Sequence, residues 1–195
     1  IVPDAAWGAG APRAVQVVRA LASCCERVTL CAMMPPDQAP AGVERFPANV
    51  ETSAASGPGA LGSLLASSPG LFDLLWIGRP HNLRALYELH WAQPELLAGV
   101  RIVYDAEAVF AERTIREAAL AGTPLSEWRQ ERLLRAELRM TEIAEAIVAV
   151  SASERARIAQ VTGRRVRLLS YGAELVPTPM PFAARSDLLF LGALR

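Results

Sequence analysis

Two carboxylates, Asp105 and Glu107, directly follow an apolar stretch of the sequence, and Arg113 comes shortly after them. Carboxylates at the end of a buried strand can accept hydrogen bonds from substrate hydroxyl groups, and one of them can serve as a general base. A structural alternative is that Asp105 caps the following helix, while Glu107 or Glu112 pairs with Arg113 or Arg116. Both interpretations place a polar cluster at this point of the fold.

A second polar cluster, formed by Arg79, His81 and Asn82, follows residues 72–77, which are almost entirely apolar. A run without polar alternation is typical of a strand that is buried on both faces in a parallel sheet. We expect Arg79 and His81 to point toward the cleft beyond the carboxyl end of that strand. The alternative is a polar helix start that Asn82 caps.

Two turns rich in small residues complete the set of candidate sites. Gly8 and Gly10 precede a predicted helix, whose first N–H groups can bind a phosphate. Tyr171 and Gly172 follow the last strand of the predicted domain, and we expect Gly172 to adopt a backbone conformation that is closed to other residues. A plain tight turn explains each of these segments as well.

The elements that must position these residues alternate along the chain. Strands are predicted at residues 27–33, 72–77, 100–104, 147–150 and 165–170, and a weaker strand, interrupted by Pro47, is predicted at 43–50. Helices are predicted from Pro12, at 57–67 and at 81–98, the last with a break at Pro94. Two consecutive helices separated by a stop at 122–124 are predicted between 107 and 146, and a further helix from Ser151 to Gly163. This order predicts a doubly wound, mainly parallel α/β sheet of about six strands, with 72–77 and 147–150 at its centre. Ligands of such sheets bind beyond the carboxyl ends of the strands, which all four candidate segments follow.

The domain organisation follows from the two ends of this pattern. Residues 1–175 form one α/β domain in this prediction, and Ile1 and Val2 end a first strand that lies mostly upstream. Residues 176–186 are rich in proline and are typical of a stiff linker. Residues 187–195 then begin a second domain with the apolar strand 187–191.

Composition excludes several classes of function. The chain has 195 residues, 52% of them hydrophobic, and a formal net charge of zero, which argues against sequence-independent nucleic-acid binding. No apolar run is long enough for a transmembrane helix, and no secretory leader is visible, so a cytoplasmic location is expected. The three cysteines lack metal-ligand spacing and indicate free thiols. All twenty basic residues are arginines, which is typical of GC-rich bacterial genomes.

Several segments, in this order, resemble motifs of the group 1 (family 4) glycosyltransferases. They are 101–110 with Arg113, 136–139, 144–151 with Glu154, 171–174, Pro181-Phe182, Arg185 and 187–192. Gly8-Ala9-Gly10 with Arg13 is similar to the first loop of that family. The sequence departs from the family pattern at Ala108 and Val109, where a polar pair is usual, and this leaves Glu107 as the polar group.

The resemblance implies the N-terminal half of a GT-B fold, in which two Rossmann-like domains face each other across a cleft. This half chiefly holds the acceptor, and the C-terminal domain chiefly holds the nucleotide-sugar donor. Transfer would retain the anomeric configuration without a metal or another cofactor, and the sequence contains no Asp-x-Asp pair. The expected partners are the donor, a glycan or small-molecule acceptor, and the protein's own C-terminal domain.

Site roles follow from the resemblance together with the clusters above. The candidate catalytic residues are Glu107, Asp105 and His81. The candidate substrate-binding residues are Gly8, Gly10, Arg13, Arg79, Asn82, Arg113, Tyr171 and Gly172. Two other functions remain open at this point: the N-terminal half of a sugar-nucleotide epimerase, and a non-catalytic binding module of a multidomain protein.

Overall fold

A computed structural model describes residues 11–33, 46–57, 59–172 and 180–186 of the chain. Ile1, Val2, Gly8, Gly10 and the strand predicted at 187–191 lie outside these residues. The helices are α1 (Ala11–Cys24), α2 (Ala60–Ser67), α3 (Pro80–Ala92), α4 (Phe110–Leu120), α5 (Glu127–Arg139) and α6 (Ala152–Thr162). The strands are β1 (Val28–Ala32), β2 (Val50–Ser56), β3 (Leu74–Gly78), β4 (Arg101–Ala106), β5 (Ala146–Ala149) and β6 (Val166–Leu168). Short 3-10 turns cover Pro94–Leu97, Met140–Ile143 and Phe182–Ala184.

The strands form two parallel sheets. One sheet pairs β1 with β2, and the other has the order β3-β4-β5-β6. All pairs are parallel, with Ile77 opposite Tyr104 and Tyr104 opposite Ile147 in the larger sheet. Parallel neighbours need crossover connections, and in the larger sheet the helices between successive strands supply them. The α/β class with parallel sheets is therefore confirmed, and the arrangement is consistent with a Rossmann-like fold.

Three details of the predicted sheet are wrong. Of the strand predicted at 43–50, residues 46–49 form no strand and β2 begins only at Val50, because Pro47 cannot donate a ladder hydrogen bond, while residues 43–45 lie outside the described part of the chain. The described strands form two sheets and not one. The apolar run 72–77 yields β3, which is the end strand of its sheet, whereas 147–150 yields β5, which lies between β4 and β6 as expected. Among the strands that the structure describes, none pairs with the free side of β3.

Apolar faces of the helices and of the larger sheet form one core. Its fully buried side chains include Leu86 of α3, Tyr104 of β4, Leu134 of α5, Ile147 of β5 and Ile158 of α6. Burial of each such side chain stabilises the fold by about 1.5–3 kcal/mol before entropy is subtracted. No helix in the described ranges is long and apolar enough to cross a membrane.

Side chains cap two helices that stand near the carboxyl edge of the sheet. Ser151 accepts the N–H of Glu154 at 3.2 Å, and Gly163 ends α6 with a positive φ of 69°, as the capping pattern predicts. Glu137 of α5 caps α4 from a distance, since its two carboxylate oxygens accept the N–H groups of Phe110 and Ala111. Burial raises the pKa of Glu137, and these two hydrogen bonds oppose the change.

Candidate functional site

The best-defined polar group at the carboxyl edge is an ion pair between Arg79 and Glu107. Arg79 follows β3 and Glu107 follows β4, and since these strands pair in parallel the two residues leave the sheet side by side. Arg79 Nε donates to Glu107 Oε2 at 2.8 Å. The Glu107 side chain is 14% exposed, so one carboxylate oxygen is held and the other remains within reach of the cavity. Of the alternative ion pairs, Glu112 with Arg116 is present at 3.9 Å, whereas Glu107 pairs with Arg79 and not with Arg113.

Arg79 has a strained backbone. Its φ of 73° is the only positive value among the described residues other than glycine. Such a conformation costs about 1–3 kcal/mol and persists where the surroundings fix it. Here the Arg79 N–H donates to the carbonyl of Asp105, the Leu83 N–H donates to the Arg79 carbonyl, and the side chain is held by Glu107. The strain therefore lies in the turn that presents the ion pair.

His81 and Asn82 begin α3 next to this pair. Asn82 Nδ2 donates to the carbonyl of Gly78 at 2.8 Å, so its amide holds the turn after β3. The predicted cap by Asn82 is not formed, because Arg79 is the N-cap residue of α3 and no side chain accepts its first N–H groups. The ring of His81 packs against the ring of Phe110, with 6.2 Å between their centroids. The guanidinium carbon of Arg113 lies 5.3 Å from the centroid of the Phe110 ring. Phe110 thus links His81 to Arg113 at the start of α4.

Electrostatics keep His81 neutral over a wider pH range than a free histidine. Its pKa is lowered, first because desolvation disfavours the imidazolium and second because Arg79 is positive. Glu107 acts in the opposite direction. A neutral imidazole can accept or donate one hydrogen bond from a substrate hydroxyl near neutral pH.

We expect the pKa of His81, followed by NMR of the imidazole protons, to lie below the ordinary value of about 6.5. Arg79→Gln should raise this pKa because it removes a nearby positive charge, and Glu107→Gln should lower it further. The chain has only two histidines, so His90→Gln assigns the resonances. A His81 pKa at or above the ordinary value, or one that Arg79→Gln leaves unmoved, would contradict this electrostatic description.

Asp105 lies one position before the end of β4 and is buried, being 2% exposed. Its two oxygens accept hydrogen bonds from Arg13 Nη1 at 2.8 Å and Arg13 Nη2 at 2.9 Å, and Trp76 Nε1 donates to it at 3.0 Å. Burial raises the pKa of Asp105, while the hydrogen bonds and charge of Arg13 oppose that change. The carboxylate is therefore saturated by protein donors.

Arg13 is as deeply buried as Asp105 and also donates to the carbonyl of Leu169 at 3.1 Å. It thereby fastens the first turn of α1 to β4 and to the segment after β6. This placement differs from the predicted roles of Asp105 in catalysis and of Arg13 in substrate binding, because neither side chain presents a free polar atom to solvent. The pair positions α1 at the carboxyl edge. The predicted helix cap by Asp105 is also not formed.

Gly172 is held against the same helix. Gln16 of α1 donates to the Gly172 carbonyl at 2.9 Å and accepts the Gly172 N–H at 3.2 Å. The expectation of a special backbone conformation is wrong, since Gly172 has no positive φ. A Cβ at Gly172 would stand 3.0 Å from Gln16 Oε1, so a larger residue there would displace the end of the flexible Gln16 side chain. Tyr171 is half-exposed, with the Arg13 guanidinium 5.9 Å from its ring centre.

A cavity of about 1240 Å³ opens beside β3 and brings part of the predicted site together. Of the predicted residues, those that border it are Arg79, His81, Asn82, Asp105 and Glu107. Arg113, Tyr171 and Gly172 stand at the same edge of the sheet but do not line it. The roles of Gly8 and Gly10 stay predictions, because both residues lie outside the described part of the chain.

Sequence reasoning missed two partners that shape the site. Trp76 lies on β3 and donates to Asp105 on β4, and Gln16 of α1 pairs with Gly172. Trp76 had a detectable signal, since a buried indole N–H needs an acceptor and the neighbouring parallel strand supplies one. Gln16 had none, because it falls on the polar face of its helix.

Comparison with known proteins does not assign the chain to a family. No protein-family model matches it, and a search of curated proteins gives no significant match. Within the described residues, no three His, Cys, Asp or Glu side chains are grouped so as to hold a metal ion. The chemistry of the site therefore rests on its geometry. Glu107 offers a carboxylate with one oxygen bound to Arg79, Arg79 a partly exposed guanidinium, and His81 a neutral imidazole.

Proposed function

We propose that this chain is the acceptor-side half of a retaining, metal-independent glycosyltransferase of GT-B architecture, which moves a sugar from a nucleotide-sugar to a glycan or small-molecule acceptor. The observation that carries the proposal is Glu107. Its carboxylate borders an open cavity at the carboxyl end of the sheet, with one oxygen on Arg79 and His81 close by. The family-like motif around residues 101–110 supports the same assignment.

In this proposal the free oxygen of Glu107 accepts a hydrogen bond from an acceptor hydroxyl. Arg79 fixes the orientation of the carboxylate, and holding the hydroxyl in place removes part of the entropic cost of bringing two substrates together. Neutral His81 provides a second polar contact on the same side. Arg79 is 41% exposed and has further N–H groups, so it can also face the negative charge that develops on the leaving diphosphate.

Contacts in the interior of the domain position the elements that carry this site. Arg13 and Asp105 hold α1 against β4, and Gln16 holds the segment that follows β6. These contacts fix the carboxyl edge, so that a facing donor-binding domain meets a rigid surface. The donor's diphosphate and nucleoside would be bound chiefly by that C-terminal domain.

Two measurements test the proposal. The full-length parent protein, incubated with a panel of nucleotide-sugars, should release nucleoside diphosphate faster when a suitable acceptor is added. The isolated chain, titrated by calorimetry with the same nucleotide-sugars, should bind them weakly and transfer nothing. Tight binding of a nucleotide-sugar by the isolated chain would mean that the donor site lies in this half, contrary to the proposal. If the parent protein shows neither hydrolysis nor transfer, a non-catalytic binding module is favoured.

A further inference from the structure

The first turn of α4 holds together one side of the site. It begins with Phe110, whose ring packs against His81 with 6.2 Å between centroids and lies 5.3 Å from the guanidinium carbon of Arg113. Glu107 precedes Phe110 by only three positions, and the residues between them belong to neither a strand nor a helix. The position of this turn therefore determines where His81, Arg113 and Glu107 stand relative to one another.

Helix α4 has little of its own to fix this first turn. Its N-cap residue is Val109, which has no side-chain oxygen to accept the free N–H groups, whereas Ser, Thr, Asp and Asn are the usual residues there. Of the residues of α4, all of which the structure describes, Ala111 alone is buried, and Ile115 packs partly against the core. Neither a local cap nor a large buried side chain therefore holds the start of the helix.

Glu137 of α5 supplies the missing cap. Its two carboxylate oxygens accept the N–H groups of Phe110 at 2.9 Å and Ala111 at 2.7 Å. Hydrogen bonds to a carboxylate are stronger than neutral ones, and a negative charge at a helix N-terminus also complements the helix dipole. Leu134 and Leu138 of α5, on either side of Glu137, are fully buried in the core. Glu137 therefore ties the start of α4 to the core of the domain, which a cap from the local loop would not do.

One other polar contact links the start of α4 to the rest of the domain. Arg157 Nε of α6 donates to Glu112 Oε1 at 3.2 Å, and the two side chains are 32% and 29% exposed. Partly exposed ion pairs contribute little to stability, because water screens them and two long side chains must be ordered. Glu137 makes two shorter bonds, and their donors are backbone groups that the helix already holds in place. We therefore expect Glu137 to be the stronger link.

We propose that Glu137 is a positioning residue of the candidate site. Through the two backbone N–H groups it fixes the start of α4, and through the Phe110 ring it fixes His81 and Arg113 on the side where the acceptor binds. The effect on transfer rests on the proposed function. The effect on His81 does not, so each can be measured without the other.

The first test follows the chain carrying Glu137→Gln by NMR. Glutamine keeps the shape of the side chain, but it loses the charge and presents an NH₂ group to one of the two donors. The N–H groups of Phe110 and Ala111 should exchange about 10-fold faster, as expected when a hydrogen bond to a charged group is lost. The imidazole resonances of His81 should move toward those of the Phe110→Leu variant, in which the neighbouring ring is absent.

Glu131→Gln is the matched control, because it makes the same change on the same helix. Glu131 is 43% exposed and accepts Arg135 Nε of α5. Neither the exchange of the α4 amides nor the His81 resonances should change in this variant. Unmoved His81 resonances in Glu137→Gln, or an equal displacement in Glu131→Gln, overturn the proposal.

The double variant Glu137→Gln with Val109→Thr separates positioning from simple helix capping. Threonine at the N-cap position accepts an N–H group from the first turn of α4, so it should restore part of the lost stability. It does not restore the link to α5, and the His81 resonances should stay displaced. Recovery of the wild-type His81 resonances would show that Glu137 is only a cap. If Glu137→Gln alone fails to fold, the double variant provides the same comparison with the wild-type chain.

The second test measures transfer by the full-length parent protein. Glu137→Gln should raise the KM for the acceptor about 10-fold, because small displacements of binding groups weaken productive binding, and should leave the KM for the nucleotide-sugar unchanged. Val109→Thr should not reverse this rise. A parent protein without transfer activity contradicts the proposed function, and the His81 resonances then decide the role of Glu137. An active parent whose acceptor KM is unaffected by Glu137→Gln overturns the positioning role alone.

Discussion

Arg13→Met is expected to lower the free energy of unfolding by about 3–5 kcal/mol, measured by urea denaturation at neutral pH. The substitution keeps much of the side-chain volume but leaves Asp105 as a buried carboxylate with Trp76 as its remaining side-chain donor. Removing one partner of a buried pair leaves the other without compensation for its lost hydration, and Asp105 is almost fully buried. Since whole domains are stable by about 5–15 kcal/mol, this is a large fraction of the total.

The control for Arg13→Met is Arg135→Met. Arg135 pairs with Glu131 at the same 2.8 Å, but both side chains are exposed, so its loss should cost at most about 1 kcal/mol. The double variant Arg13→Met with Asp105→Leu should recover much of the stability, because apolar residues can replace a buried ion pair. A loss for Arg13→Met no greater than that for Arg135→Met would show that the pair does not fasten α1.

The pH dependence of the Arg13→Met variant has a definite sign. Burial already raises the pKa of Asp105, and the substitution removes the arginine that opposes this effect. A carboxyl group whose pKa is higher in the folded than in the unfolded state binds more protons when folded, so stability falls as pH rises through that range. The deficit of the variant should therefore shrink as the pH is lowered from neutral, until other carboxylates begin to titrate.

The sequence predicts the elements of this fold better than their arrangement. Apolar runs and turn residues locate β1, β3, β4, β5 and β6 within a few residues, because burial on both faces leaves a local signature. Pairing between strands has no such signature, since it depends on residues far apart in the chain. The position of β3 at the end of its sheet could therefore not be predicted from its apolar composition.

The candidate site was predictable in location but not in the role of each residue. Polar residues after buried strands indicate the carboxyl edge, and Arg79, His81 and Glu107 do border one cavity there. Asp105 precedes Glu107 by two residues and carries the same group, yet it points to the interior. What distinguishes them is Arg13, which lies 92 positions earlier and meets Asp105 only after α1 packs on the sheet. No local pattern contains that information.

The sharpest test of the proposed function is Glu107→Gln in a protein that joins this chain to its donor-binding half. We expect kcat/KM for the acceptor to fall about 10- to 100-fold, which corresponds to the loss of a hydrogen bond to a charged group worth about 1.5–3 kcal/mol. The KM for the nucleotide-sugar should change little, because the donor is bound chiefly by the other half. Stability should also change by no more than about 1 kcal/mol, since Arg79 is partly exposed and its ion pair is weak.

Two further variants separate an acceptor contact from a structural role of Glu107. Glu142→Gln is the matched control, because Glu142 is an exposed carboxylate that accepts the Tyr87 hydroxyl at 2.7 Å away from the cavity, and its transfer rate should stay unchanged. Arg79→Gln removes the same ion pair but keeps the carboxylate. Because Arg79 also faces the leaving diphosphate in this proposal, the two variants are compared through the KM for the acceptor. If Glu107 contacts the acceptor, Glu107→Gln must raise that KM more than Arg79→Gln does, and an unchanged rate in Glu107→Gln would exclude Glu107 from the site.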